Sequence, residues 1–269
     1  GSSISLDKRQ NVDWFLFYDG LLKNIKDFSI DTKQSNFNLN ISHQFSTSKR
    51  NSFSQINFRQ HRQSFYGLPV AIEDNYVLSN FDPVQRLTYF SITSDWKWYD
   101  KIVKGFSLNS YYTADSYSTR ENEISFSSKF QLDFGAIYLT AIPKINVLST
   151  NFKEDFYTRM ESELFSSFGG VSIYSSREKG RFKFRLGVQS YFITGDEYAE
   201  KNLYYFPDVN ITFKPENSNF APFLNLNGEF YQNSFRTLSH ANPYIAPAVR
   251  LRSSFSPYKI ELGTRSSLS

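Results

Sequence analysis

Apolar and polar side chains alternate with period two along most of this 269-residue chain. The clearest run sets Ile124, Phe126, Ser128, Phe130, Leu132 and Phe134 against Ser125, Ser127, Lys129, Gln131 and Asp133. Successive side chains of a strand point to opposite faces, so this run predicts a strand with one apolar and one polar face. The pattern recurs at Phe37-Leu39-Ile41-Phe45, Phe182-Phe184-Leu186-Val188, Val209-Ile211-Phe213 and Leu224-Leu226-Phe230. Turn signals lie between the runs: Phe168-Gly169-Gly170, Lys179-Gly180, Lys214-Pro215-Glu216-Asn217 and Ser256-Pro257. The count is about a dozen strands, most of them longer than the roughly 5–6 residues usual in soluble sheets. Long strands with short turns predict an antiparallel up-and-down meander.

Two stretches read less simply. Trp14, Phe17, Tyr18, Leu21, Leu22, Ile25 and Phe28 fit a helical stripe capped at Asn11. They also fit a hairpin that turns at Asp19-Gly20. Gly20 would weaken a helix by about 1 kcal/mol, which favours the hairpin. Polar stretches at 62–85 and 148–160 read as loops or as strand extensions. No linker, charge block or fixed-period repeat divides the chain, so residues 1–269 read as a single domain. An apparent last strand starts near Tyr258. Its few residues predict either a short final strand or a chain that is part of a longer one.

Composition sharpens the fold class. The chain has 28 Phe, 18 Tyr and 3 Trp, yet its mean hydropathy is −0.46. Soluble cores are built mainly from Leu, Ile, Val and Ala. Here aromatic residues take that place, as suits a pleated, half-apolar surface. No run of 18 apolar residues occurs, so no transmembrane helix is predicted. Strands of about 9–11 tilted residues also cross a bilayer, and most of the predicted strands reach that length. The net charge is only +4 and no basic run occurs, which argues against a nucleic-acid partner. With no cysteine, there is no disulfide framework, thiolate metal site or cysteine nucleophile.

Three features favour an all-β transmembrane barrel over a soluble sandwich. Charged side chains fall well inside the strands on the polar face, at Lys129, Asp133, Lys183, Arg185, Arg250, Arg252, Glu261 and Arg265. A wet lumen accepts these. Aromatic clusters sit near strand ends, at Trp96-Trp98-Tyr99, Tyr111-Tyr112 and Tyr204-Tyr205-Phe206. Such rings favour a membrane–water interface. Helices are nearly absent. The lumen-facing set of basic residues is Lys129, Lys183, Arg185, Lys214, Arg250, Arg252 and Arg265, against acidic Asp133, Glu229 and Glu261. A lumen so lined would favour anions.

The stretch from Tyr204 to Leu268 carries a resemblance. It holds Tyr204-Tyr205-Phe206-Pro207-Asp208, the glycine-containing run Phe220–Glu229, and Asn233-Ser234-Phe235. Asn242-Pro243-Tyr244-Ile245-Ala246-Pro247 and Tyr258–Gly263 follow, with Tyr66-Gly67-Leu68-Pro69 as a further point. Over about a quarter of the chain this resembles the barrels of TonB-dependent receptor-like outer-membrane proteins. The resemblance implies a barrel in the outer membrane of a Gram-negative bacterium, in contact with membrane lipid and lipopolysaccharide and open to other envelope proteins. It implies little about activity. The plug and energy-coupling box of true receptors are not legible in residues 1–35.

No catalytic set emerges. His43, His61 and His240 lie far apart in sequence, none at metal-ligand spacing. No phosphate-cradling loop or nucleophile elbow occurs. Glu161 with Glu163 and Asp196 with Glu197 read as loop carboxylates. No enzyme, cofactor or metal site is therefore expected. Three functions stay open: a transport channel or receptor-like transporter, a non-conducting outer-membrane scaffold, and a soluble β-rich adhesin or binding module.

Overall fold

The computed structural model describes residues 1–21, 34–64, 84–135, 137–153, 161–195, 201–216, 220–243 and 251–266. Thirteen strands follow one another: β1 (Ser2–Asp7), β2 (Gln10–Leu21), β3 (Gln34–Ser46), β4 (Arg50–Ser64), β5 (Val84–Trp98), β6 (Val103–Ala114) and β7 (Arg120–Asp133), then β8 (Tyr138–Phe152), β9 (Ser162–Lys179), β10 (Phe182–Thr194), β11 (Leu203–Phe213), β12 (Phe220–Tyr231) and β13 (Ser254–Ser266). Each pairs antiparallel with its sequence neighbours in one sheet, β1 to β13 in order. This is the up-and-down meander that the alternation predicts. Among the described residues β1 and β13 remain the two edges, so the sheet is not closed into a barrel.

Register aligns like with like. Ile41, Ile56 and Ile92 face one another across β3, β4 and β5. Leu186, Val209, Leu226 and Ile260 do so across β10 to β13. In the opposite phase Asn40 pairs with Asn57 and then Ser91, and Asn210 with Asn225 and then Glu261. The sheet therefore has a continuous apolar face and a continuous polar one.

The sheet also curls strongly. Gln232, one residue beyond β12, hydrogen-bonds Asn146 on β8 at 2.6 Å and Ser166 on β9 at 2.5 Å. In a flat sheet, four strand spacings of about 4.8 Å would hold β8 some 19 Å from β12. The ring of Phe230 on β12 lies 5.3 Å from Phe168 on β9. Asn146, Ser166 and Phe168 share the phase of the polar face, which is thus the inner, concave one.

Curvature and ladder breaks trace to glycine and proline. Gly170 lies beneath the Tyr191 ring, where an added Cβ would sit 2.6 Å from a ring carbon. Gly228 lies beneath Phe206 in the same way. Each pair lets the sheet bend inward with an aromatic side chain lying flat on bare backbone. Proline lacks an N–H, so it belongs where a ladder is interrupted. Pro207 pairs with Val188 on one side, and pairing with β12 starts only at Asp208. Pro143 pairs with Val171, opposite a gap in the β7–β8 ladder.

Several expected turns are strand interior. Asp19-Gly20 continues β2, paired with Asn36 and Ser35. Gly169-Gly170 lies within β9 and Ser256-Pro257 within β13, which starts at Ser254 rather than near Tyr258. In each case neighbouring strands on both sides, or a register shift, absorb a residue that is a breaker in isolation. The register shift between Asn227 and Glu229 also reverses the alternation, so Phe230, expected outside, packs inside against Tyr191 and Tyr204. Leu22, Ile25, Phe28 and the Tyr66–Pro69 point lie outside the described residues.

Connections differ at the two ends of the sheet. At one end the strands are joined by residues 8–9, 47–49, 99–102, 134–137, 180–181 and 214–219. At the other the intervals are 22–33, 65–83, 115–119, 153–161, 195–202 and 232–253. The last of these holds a helix, α1 (Phe235–Ala241), which the alternation did not predict.

Candidate functional site: an inner wall covered by a short helix

The helix owes its start to a capping box. Ser234 Oγ accepts the Thr237 N–H at 3.1 Å, and Thr237 Oγ1 accepts the Ser234 N–H at 3.0 Å. The preceding N–H groups need other acceptors. Glu121, on the inner face of β7, supplies them: its carboxylate accepts from Phe235 N at 2.6 Å and Arg236 N at 2.8 Å. Thr150 Oγ1 on β8 donates to the same carboxylate at 2.8 Å. Glu121 is 1% exposed, so these donors, rather than water, satisfy its carboxylate oxygens.

Arg236 extends the attachment. Its guanidinium meets Glu123 at 2.7 Å and lies 3.9 Å from the centre of the Tyr111 ring. Asn146 donates to both Glu123, at 3.3 Å, and Gln232, at 2.6 Å. On the far side of α1, Tyr89 donates its hydroxyl to Ser239 at 3.1 Å, and its ring stacks on His240 at 4.2 Å. Gln63 on β4 donates to the Pro243 carbonyl at 2.6 Å. Burial pushes the His240 pKa down, and Arg59 and Arg236 push it further.

Beneath the helix lies the chain's buried apolar cluster, Leu87, Tyr89, Phe152, Phe235 and Leu251, with Leu164 and Leu238 against it. Phe235 is fully buried and meets Phe152 edge to face at 6.2 Å. Full burial of one such ring contributes about 1.5–3 kcal/mol. The main enclosed packing of the described chain is thus where α1 meets strands β5, β7 and β8, at the end with the long intervals.

Across the sheet burial is inverted. Gln63, Gln85, Thr113, Glu121 and Thr150 are buried on the inner face. Ile56 (46% exposed), Ile92 (44%) and Leu262 (79%) lie open on the outer face. Exposed apolar patches of more than a few hundred Å² are rare on soluble monomers. This one runs across the whole sheet.

Of the expected basic set, Lys129, Lys183, Arg185 and Arg265 fall in the inner phase of β7, β10 and β13. Lys183 pairs with Glu178 at 3.0 Å, and Arg185 with Asp208 at 2.5 Å while lying 3.8 Å over the Tyr174 ring. Arg265 lies over the Phe223 ring at 4.8 Å. Lys129 falls near the short-turn end of β7, and Lys214 follows β11 in the turn, its N–H bonded to the Arg181 carbonyl. Arg252 precedes β13 rather than lying in it, and Arg250 is outside the described residues. The described members of this set are not gathered into one cluster.

Of the aromatic clusters, Trp96 and Trp98 fall in the outer phase, whereas Tyr111, Tyr204 and Phe206 turn inward. His43, in the outer phase, contacts Gln10 Oε1 at 3.3 Å. His61, inside, contacts Asn36 and Gln63. Sequence reasoning missed Glu121, Glu123, Gln232 and Arg236. The signal for the helix was Ser234-x-x-Thr237, and for its acceptor Glu121, a carboxylate at the start of the clearest strand.

No model of a known protein family matches this chain, and no curated protein matches it.

Proposed function

We propose that this protein is an outer-membrane β-barrel wall that passes hydrophilic solutes, narrowed at its long-interval end by α1. The observation that carries the reading is the inverted burial: a predominantly apolar outer face around a polar inner one. In water that outer face would be a large exposed patch, whereas in lipid it is solvated by acyl chains. Strands β2 to β13 run from 11 residues in β11 to 18 in β9, enough to cross a bilayer when tilted. The asymmetry of short turns and long intervals is typical of such barrels, with the short turns on the periplasmic side. Closing the edges β1 and β13 is required in lipid, because unpaired backbone there costs several kcal/mol per group. The likeness to TonB-dependent receptor-like barrels points the same way and assigns no catalysis.

The inner face supports solute passage. Asn, Ser, Gln and ion pairs line it. Lys183 and Arg185 are neutralised by their partners, so anion preference would be weaker than seven free cations would give. A second reading, a non-conducting scaffold, is favoured by the extent to which α1 is bonded into the interior.

Reconstitution in a planar bilayer tests both. Stepwise conductance that rises when residues 232–243 are replaced by a short polar linker supports transport. Silence in both forms supports the scaffold. Full solubility without detergent would overturn the membrane reading and favour an adhesin.

A further inference from the structure

At the short-turn end, two turns and a tryptophan form a cleft of about 350 Å³. It is lined by Thr47, Ser48, Lys49, Arg50, Trp98, Asp100 and Lys101. The turns are tied together. Tyr99 N–H donates to the Lys49 carbonyl at 3.1 Å, Asn51 Nδ2 donates to Tyr99 Oη at 2.8 Å, and Lys104 Nζ donates to the Tyr99 carbonyl at 3.1 Å. The cleft is therefore preformed rather than a gap between loose loops. The lining holds three cations and one carboxylate, Asp100; Arg50 lies over the Phe45 ring at 4.6 Å, and among the described residues none of Lys49, Arg50 and Lys101 forms an ion pair.

Directly below, on the outer face, an apolar surface continues from the cleft. Trp96, Trp98 and Phe106 pack with ring centres 5.7–6.3 Å apart, and Phe126 extends the row at 6.3 Å from Phe106. Cationic groups above and an aromatic row below match one kind of molecule: an anionic headgroup joined to acyl chains.

We propose that this cleft binds the phosphate headgroup of an anionic phospholipid, with the acyl chains lying over Trp96, Trp98, Phe106 and Phe126. The proposal rests on the membrane reading above. Lys49, Arg50 and Lys101 hold the headgroup charge, and the Trp98 ring sits at the boundary between headgroup and chain. Each engaged cation is worth on the order of fivefold in preference for an anionic over a zwitterionic lipid.

The test uses tryptophan fluorescence. The chain has 3 tryptophans, so Trp14→Phe leaves only Trp96 and Trp98 to report. This variant is reconstituted in phosphatidylcholine vesicles containing a minor fraction of either phosphatidylglycerol or phosphatidylcholine, brominated close to the headgroup. The expected result is stronger quenching by the brominated phosphatidylglycerol, by severalfold in apparent affinity. Lys49→Gln with Lys101→Gln should bring the two lipids to parity while quenching by the zwitterionic one persists. Equal quenching by both in the parent would overturn the proposal and leave the membrane reading standing. No quenching by either would overturn both.

Discussion

Glu121 and Phe235 are 114 positions apart in the chain, yet the Phe235 N–H donates to the Glu121 carboxylate at 2.6 Å. That bond, with its companion from Arg236, fixes the start of α1 to the wall at β7. Removing the carboxylate leaves two buried N–H groups and the helix end without acceptors. Glu121→Ala should loosen α1 by about 2–4 kcal/mol. Hydrogen exchange at residues 235–242 should then accelerate on the order of a hundredfold, with strand interiors unchanged. Unaltered protection would mean that the apolar cluster alone holds the helix.

Gly169 and Gly170 provide a paired control on how the sheet bends. A Cβ at Gly170 would lie 2.6 Å from the Tyr191 ring and 3.0 Å from the Ser190 carbonyl, whereas at Gly169 nothing lies within 4 Å. Gly170→Ala should cost about 1–3 kcal/mol, the usual penalty of overpacking. Gly169→Ala should stay within about 0.5 kcal/mol. Urea unfolding of the protein folded in detergent or lipid measures both. Equal effects would show that the ring shifts aside at no cost.

The period-two pattern made the strands and their two faces legible because each face keeps one dominant chemistry from strand to strand. Turns were less legible. Gly170, Gly20 and Pro257 are breakers only in isolation; within the sheet, a covering ring, a ladder partner or a register shift gives each a place. The inner site was the least visible. Phe235 and Leu238 look like any apolar pair, and their partners Leu87 and Phe152 sit on strands far away in sequence. Nor does the local pattern around Asn227-Gly228 reveal that the alternation reverses there, since a bulge depends on the partner strand.

The outer face offers a direct check on its solvent. Ile92 is 44% exposed and faces Ile56, while its neighbour Ser91 belongs to the polar face. For a strand in lipid, a lysine near the midplane costs about 2–4 kcal/mol. Ile92→Lys should therefore slow or block folding into vesicles, and Ser91→Lys should be tolerated. For a soluble sheet, the exposed Ile92 would accept lysine within about 0.5 kcal/mol. Equal tolerance at the two positions would count against a lipid-facing wall.

His240 makes the seating of α1 sensitive to acid. Its ring stacks on Tyr89 at 4.2 Å but keeps an exposed edge. Burial lowers its pKa below the ordinary 6.5, and Arg59 and Arg236 add to the shift because a second cation beside them is unfavourable. A histidine with a depressed folded-state pKa favours the docked helix in its neutral form. The stabilising contribution is thus present above pH about 6.5 and is lost as pH falls through the lowered value. Protonation would add a charge to an interior that already holds Arg59 and Arg236, and α1 should loosen. The expected observation is faster hydrogen exchange across 235–242 in mild acid than at neutral pH, after correction for the intrinsic rate. His240→Gln cannot acquire the charge, so it should flatten that dependence. A dependence that survives in His240→Gln would assign the sensitivity to another group.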